Sequence, residues 1–143
     1  YKKMSLDLQY KLGHADIDLS GLAVSGLKVN TGSADVRIGY SAEMNQIEMD
    51  TFAVKVELGS LIIGKCNFSR AKNMIAEVGL GNLLLDFSTP SQMKGNVNLN
   101  VGAGKLEVIL PKIQNPTIIY SNNSPLCHVN WTNLFIKHVP MFL

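Results

Sequence analysis

Short stretches of the chain alternate strictly between apolar and polar side chains. Residues 54–58 read Val-Lys-Val-Glu-Leu and residues 96–101 read Asn-Val-Asn-Leu-Asn-Val, so every second residue is aliphatic. Successive side chains of a β-strand point to opposite faces, and a period of two therefore predicts strands with one buried face. The helical period of 3.6 residues is almost absent, and residues 69–76 form the single stretch compatible with a helical turn. We expect an all-β protein.

One phrase recurs along the chain: a glycine, a small residue two positions later, and then an alternating strand. The clearest copies are Gly-Ser-Ala-Asp-Val-Arg-Ile at 32–38, Gly-Leu-Gly-Asn-Leu-Leu-Leu at 79–85 and Gly-Ala-Gly-Lys-Leu-Glu-Val at 102–108. Residues 13–19 give a further copy, and residues 59–63 a looser one that has Leu61 at the place of the small residue. The opening glycines lie 19 to 27 residues apart. This spacing is typical of a repeat built from short strands.

The recurring glycines favour a particular arrangement of these strands. A glycine inside a strand costs stability, so its repeated use indicates a tight corner or a close approach between backbones. We predict a single-domain, right-handed β-helix-like stack of strand repeats, in which Ala15, Ala34, Gly81 and Gly104 pack inward at the corners. A β-sandwich, whose turns also carry recurrent glycines, is the alternative. We expect the copy at residues 59–63 to be displaced from the other copies or to form a corner of different geometry.

We assign residues 1–143 to one domain, with the glycine-phrase repeats in residues 6–111 and a different C-terminal segment in residues 112–143. Before the copy at Gly59, residues 42–50 make a longer connection, which we expect to be a loop or an extra strand. After Lys112, the only Lys, Arg, Asp or Glu is Lys137. The segment either caps the open end of the stack or exposes an apolar patch for a protein partner or for self-association. The aromatic anchors of such a patch would be Trp131, Phe135 and Phe142.

Composition and charge narrow the possible partners and compartments. The 143 residues include 17% charged side chains and carry a net charge of +2, without a Lys/Arg-rich run, so we expect no nucleic-acid partner. No apolar run reaches the roughly 20 residues of a membrane-spanning helix. The chain begins at Tyr1 rather than Met, and we expect any membrane attachment to come from a missing N-terminal segment.

Cys66 and Cys127 either form a disulfide or remain two free thiols.

The histidines do not indicate a catalytic site. Cys127 and His128 are adjacent, but consecutive strand residues face opposite sides of a sheet. No acidic residue follows Glu107 to orient that imidazole locally. Cys127, His128 and His138 supply three candidate zinc ligands, but the chain has no CxxC or HExxH spacing of the kind that binds zinc. His14 is the third histidine of the chain. We predict a protein that is not an enzyme, without catalytic or cofactor-binding residues.

Aspartates are the remaining candidates for a metal site. Asp16 and Asp35 occupy the same place in their phrases, and Asp18 lies close by. Calcium-binding β-repeats use carboxylates at such recurrent positions. Later copies have Asn82 and Lys105 there, so the acidic series does not continue. We interpret the three aspartates as outward, solvated charges and expect no bound metal.

The phrases of the type Gly-Ser-Ala-Asp-Val-Arg-Ile and Gly-Ala-Gly-Lys-Leu-Glu-Val resemble a known family of repeat domains. Together with Val-Ile-Leu-Pro at residues 108–111, they are similar to the toastrack-type adhesin and cell-wall stress-response domains of bacterial envelope proteins (the DUF4097-like group). The resemblance covers roughly residues 6–111. It implies a protein of the cell envelope, periplasmic, extracellular or membrane-anchored, that adheres, scaffolds or senses envelope stress through protein contacts. The family offers no catalytic residues to transfer to this chain.

A second function stays open beside that expectation. Asn96, Asn98 and Asn100 alternate with aliphatic residues and therefore share one face of a strand. Regularly spaced amides can donate hydrogen bonds to sugar hydroxyls and accept them in return. The alternative hypothesis is a module that binds cell-wall polysaccharide along this row.

Overall fold

The computed structural model describes residues 2–89 and 95–111, together with the backbone of two short strands at residues 117–120 and 137–140. Five long strands make up most of the described chain: β1 (Met4–Asp18), β2 (Val24–Gly39), β3 (Met49–Ile63), β4 (Ala71–Asp86) and β5 (Asn96–Ile109). The two short strands are β6 (Thr117–Tyr120) and β7 (Lys137–Pro140). A 3-10 helix, Cys66–Ser69, precedes β4. It replaces the helical turn considered for residues 69–76, most of which belong to β4.

The long strands are all parallel and form one sheet in the order β1-β2-β3-β4-β5. Their arrangement is a β-solenoid of about five turns. This confirms the predicted all-β stack of strand repeats and excludes the β-sandwich, which needs two antiparallel sheets packed face to face. Strands β6 and β7 form a separate parallel pair.

The short connections require each long strand to bend. A straight strand as long as β1 would extend about 50 Å, whereas the five residues between β1 and β2 can span only about 20 Å. The strand must therefore turn back within its own length for β2 to start beside the start of β1. Each turn of the solenoid consists of one bent strand closed by a loop.

The core is built from columns of equivalent side chains. Before the bend, one column runs Leu6, Leu27, Phe52, Met74, Val97; after it, another runs Ile17, Ile38, Ile63, Leu85, Val108. The members in β2, β3 and β4 are 0 to 2% exposed. Each aliphatic side chain thus packs against its counterparts in the turns above and below. This burial of apolar area is the main stabilising contribution of the stack.

The bend lies where two consecutive residues face outward. In β4 the alternation of buried residues ends at Val78 and resumes at Leu83, with Gly81 between them. Gly81 stacks directly on Gly59, and its φ of 142° lies in a region that other residues avoid. A Cβ atom at Gly81 would lie 1.7 Å from the carbonyl oxygen of Gly59. At Gly81 the corner therefore needs glycine both for its backbone conformation and for the close contact between turns.

The register corrects part of the predicted repeat. Gly13 stacks beside Ala34 and Ala34 beside Gly59, so the corner column is Gly13, Ala34, Gly59, Gly81, Gly104. The phrases that begin at Gly13 and Gly59 are thus shifted by two residues from the other copies. The prediction of a displaced copy at Gly59 is confirmed, but the same displacement at Gly13 was not anticipated. Ala15 consequently lies beside Val36 and is not a corner residue.

Buried amides hold the loops together on the side opposite the corner. Residues 42–50 were expected to form a loop or an extra strand, and most of them form a loop. The side chain of Asn45 is fully buried within this loop. The Asn45 Oδ1 accepts a hydrogen bond from the Val24 amide at 2.8 Å, and its Nδ2 donates to the Val24 carbonyl at 2.7 Å. Nδ2 also donates to the carbonyl oxygens of Ile47 and Ser69. Asn45 therefore links three successive turns through groups that would otherwise be buried without a partner.

The corner can be tested with two alanine substitutions. We expect Gly81→Ala to lower the free energy of unfolding by about 2 kcal/mol or more, because Ala must adopt a positive φ and meet the Gly59 carbonyl. Gly64→Ala is the matched control: its φ is not positive, and a Cβ there meets no atom within 4 Å. Urea denaturation of both variants measures the difference. Equal stability of the two variants would contradict the corner geometry.

Candidate functional site

The outward side chains of the strand segments before the corner form a face rich in amides, which we call the amide face. One of its columns runs Gln9, Asn30, Lys55, Glu77, Asn100, and another runs Ser5, Gly26, Thr51, Asn73, Asn96. Asn96, Asn98 and Asn100 are exposed on β5, as their alternation predicts. The parallel register extends this row to Asn73, which lies beside Asn96, whereas Glu77 and Lys55 separate Asn100 from Asn30.

A row of leucines stands on the outside of the corner. Leu12, Leu58 and Leu80 occupy one column, and they are 72%, 45% and 53% exposed. Ser33 and Ala103 complete the column, which we call the leucine ridge. The reasoning from alternation missed it, because the bend breaks the period of two. The sequence does contain a signal for the ridge, because each of the three leucines directly precedes a corner glycine.

The face beyond the corner contains a shallow groove of about 340 Å³. Gly39 and Gly64 lie side by side in it, since a Cβ on Gly39 would lie 3.1 Å from the Gly64 carbonyl oxygen. Asp18, Arg37 and Asp86 are among the residues that line it. The groove combines both signs of charge and is too open to enclose a ligand.

Asp18 is the most strongly hydrogen-bonded carboxylate of the described chain. Its Oδ1 accepts hydrogen bonds from the Ser20 amide at 3.0 Å, the Ser20 hydroxyl at 2.7 Å and the Ser41 amide at 3.1 Å. Its Oδ2 accepts one from the Ser41 hydroxyl. The hydroxyls of Ser41 and Ser20 are the main cause of a pKa well below the ordinary carboxyl range. Asp18 thus ties the loop after β1 to the loop after β2, and its role is structural.

Three residues beside the corner have the composition of a catalytic triad but not its geometry. His14, Asp35 and Ser60 stack in this order on β1, β2 and β3. The Ser60 hydroxyl donates to the Asp35 carboxylate at 2.6 Å, which lowers the pKa of Asp35. A triad places the imidazole between the hydroxyl and the carboxylate, where it can take the hydroxyl proton. Here the carboxylate lies between them and is a weakened base, so Ser60 is not activated.

The predicted equivalence of Asp16 and Asp35 is wrong, and the register supplies the reason. Asp16 stacks beside Arg37, whereas Asp35 stacks beside His14. Their phrases are out of step by two residues at the corner. Within the part of the chain that the structure describes, no group of three or more His, Cys, Asp or Glu side chains is placed to hold a metal ion.

The described cysteine has the properties of a core residue. Cys66 is fully buried, and its thiol donates to the Ile63 carbonyl oxygen at 3.2 Å. Burial raises the pKa of this thiol to about 12. Because the thiolate is the reactive form, Cys66 is unsuited to nucleophilic chemistry.

Several residues singled out from the sequence lie outside the described residues. These are Cys127, His128 and the proposed aromatic anchors Trp131, Phe135 and Phe142. The backbone of β7 includes His138, but its side chain is not described. The disulfide and the aromatic patch therefore stay predictions.

Comparisons with known proteins do not extend these observations. Searches against protein-family models, curated proteins and solved structures find no significant match to the chain. Among the described residues, no helix is long and apolar enough to cross a membrane.

The lowered pKa of Asp18 predicts how the stability of the protein depends on pH. Its folded pKa is lowered, so its contribution is complete above the unfolded carboxyl value of about 4 and is lost as the pH falls below it. We expect Asp18→Asn to lower the Tm at pH 7, with a difference from wild type that shrinks steadily below about pH 4. Asp7→Asn, at an exposed position of the same strand, is the control for the loss of one charge. A wild-type-to-variant difference that stays constant down to pH 2 would refute this role.

Proposed function

We propose that this chain is a non-enzymatic interaction module of the bacterial cell envelope, acting in adhesion, scaffolding or stress sensing through protein contacts. The envelope assignment rests on the resemblance of its glycine phrases to toastrack-type domains. The assignment to protein contacts rests on the leucine ridge.

The leucine ridge is the observation that carries the proposal. Leu58 and Leu80 are neighbours in adjacent turns, and Leu12 lies two turns from Leu58 in the same column. Single exposed leucines are ordinary on protein surfaces, but Leu58 and Leu80 lie side by side as one apolar strip. Ser33 separates this strip from Leu12. The ridge sits on a backbone fixed by parallel pairing on both sides of β3. A partner that covers it therefore gains apolar burial with little ordering of the solenoid backbone.

The chemistry of the described residues favours binding over catalysis. The Cys66 thiol is buried and protonated at neutral pH, and the Ser60 hydroxyl donates to a carboxylate instead of an imidazole. Two grooves on the described surface, of about 340 and 320 Å³, are open and shallow. Catalytic sites usually combine an enclosed pocket with titratable groups poised to exchange protons.

The proposal is tested in two steps in native cells. We expect the full-length protein in an envelope fraction, with this domain cleaved by protease added to intact cells or to cells with a permeabilised outer layer. A photo-crosslinking residue at position 58 should then join the domain to a discrete protein, whereas the same residue at Lys55 on the amide face should not. Recovery in the cytosol, protected from protease, would contradict the envelope assignment. Equal crosslinking from both positions would contradict the role of the ridge.

A second candidate function is binding of cell-wall polysaccharide on the amide face. It is favoured by one observation: Asn96, Asn98 and Asn100 form an exposed row on β5, and Asn73 lies beside Asn96 on the neighbouring strand. A largely neutral, amide-rich surface suits the hydroxyls of a glycan. Retention of the domain on insoluble cell-wall material, lost in an Asn98→Asp, Asn100→Asp double variant but kept in a Leu58→Asn variant, would establish this function in place of the first.

A further inference from the structure

Both ends of the solenoid leave side chains of the core columns only partly buried, as Leu6, Leu8 and Ile17 are on β1. On β5, Val97, Leu99, Val101 and Val108 are only partly buried, and Leu106 is 44% exposed. In the same columns of β3 and β4, the side chains are 0 to 2% exposed. Among the described residues, nothing pairs with the outer edge of β5. An open end of this kind leaves both apolar side chains and backbone groups without cover.

At the β1 end of the solenoid, the side chains of β1 themselves protect the sheet edge from pairing with another strand. The outward side chains of β1 include Asp7, Lys11, Asp16 and Asp18, and charged side chains discourage another strand from pairing with an edge. The Tyr10 hydroxyl donates to the His14 carbonyl oxygen at 2.9 Å and lies 2.7 Å from the place where a Cβ on Gly13 would stand. The Tyr10 side chain therefore folds across the corner of the first turn.

The β5 edge lacks such protection. Its outward positions hold three asparagines before the corner, and its two charged residues, Lys105 and Glu107, form a salt bridge with each other at 2.8 Å. Paired charges of opposite sign offer little repulsion to an approaching strand that carries no charge of its own. The contrast with β1 implies that the β5 end is covered in the folded protein.

We propose that residues 112–143 of the same chain cover the β5 end of the stack. This segment follows β5 directly, after Leu110 and Pro111. Equivalent positions of successive turns lie 20 to 25 residues apart, so 32 further residues are enough for more than one turn. Strands β6 and β7 pair in parallel with a step of 20 residues, Thr117 opposite Lys137. This pairing has the same direction as that of the solenoid and nearly the same step.

Charge also favours this segment over a second copy of the chain. A copy stacked head to tail would bring its Asp16 against Glu107, because β1 and β5 occupy the same columns. Like charges directly opposite each other destabilise a strand pair. The C-terminal segment has only one Lys, Arg, Asp or Glu, at Lys137, and is always present at high effective concentration. This inference does not depend on the proposed function.

The test compares two leucines of similar exposure in the described residues. Leu106 is 44% exposed in a core column at the β5 end, and Leu80 is 53% exposed on the leucine ridge. If the segment covers β5, Leu106→Asn in the full chain should lower the Tm by about 5 °C or more, while Leu80→Asn should change it by no more than about 2 °C. Asparagine is chosen because it adds no charge beside Glu107.

Hydrogen exchange and sedimentation of the full chain complete the experiment. We expect a monomer over a wide concentration range, with amides of β5 as strongly protected as those of β4. Equal, small effects of the two substitutions together with fast exchange along β5 would show an open end and overturn the proposal. Protection of β5 that appears only in a concentration-dependent oligomer would assign the cover to a second copy and also overturn it.

Discussion

The contact between backbones at the corner is the constraint on which the rest of the structure depends. Gly81 and Gly104 each lie so close to the preceding turn that a Cβ atom would stand 1.7 Å from a carbonyl oxygen. Turns can stack at this distance only if each bends at the same point. The common bend keeps β1 to β5 in register, and the register in turn aligns the aliphatic side chains into core columns. Core packing and loop contacts are consequences of this alignment.

Alternation of apolar and polar residues was sufficient to predict strands and, with the recurring glycine phrase, a stack of them. It was not sufficient to predict the register. A shift of two residues keeps every side chain on its own face, so the pattern allows Gly13 beside Gly32 as well as beside Ala34. The choice depends on which residue occupies the bend, and that is a property of three-dimensional contact. The error placed Asp16 and Asp35 in one column when they lie in different ones.

For the candidate functional surfaces, too, features within one strand were predictable from the sequence and features that depend on the register were not. The amide row of Asn96, Asn98 and Asn100 follows from alternation within one strand, and it was predicted. The leucine ridge lies where the bend interrupts alternation, and the stacking of His14, Asp35 and Ser60 depends on three strands at once. Asn45 was equally inaccessible to sequence reasoning, because a loop asparagine reads as a turn residue until its buried partners are known. Residues brought together by register can be recognised only when the register is known.

The most direct test of the central claim is a pair of engineered disulfides that reads the register at the corner. Directly stacked residues have Cα atoms about 4.8 Å apart, within disulfide range, whereas an offset of two residues separates them by about 8 Å. Cys127→Ser is made in both proteins, and Cys66 is retained because it is buried. The account predicts that His14→Cys with Asp35→Cys forms an intramolecular disulfide under mild oxidation, and that Asp16→Cys with Asp35→Cys does not. Efficient bridging of the Asp16 pair instead would mean that the opening glycines stack on one another and that the corner described here is wrong.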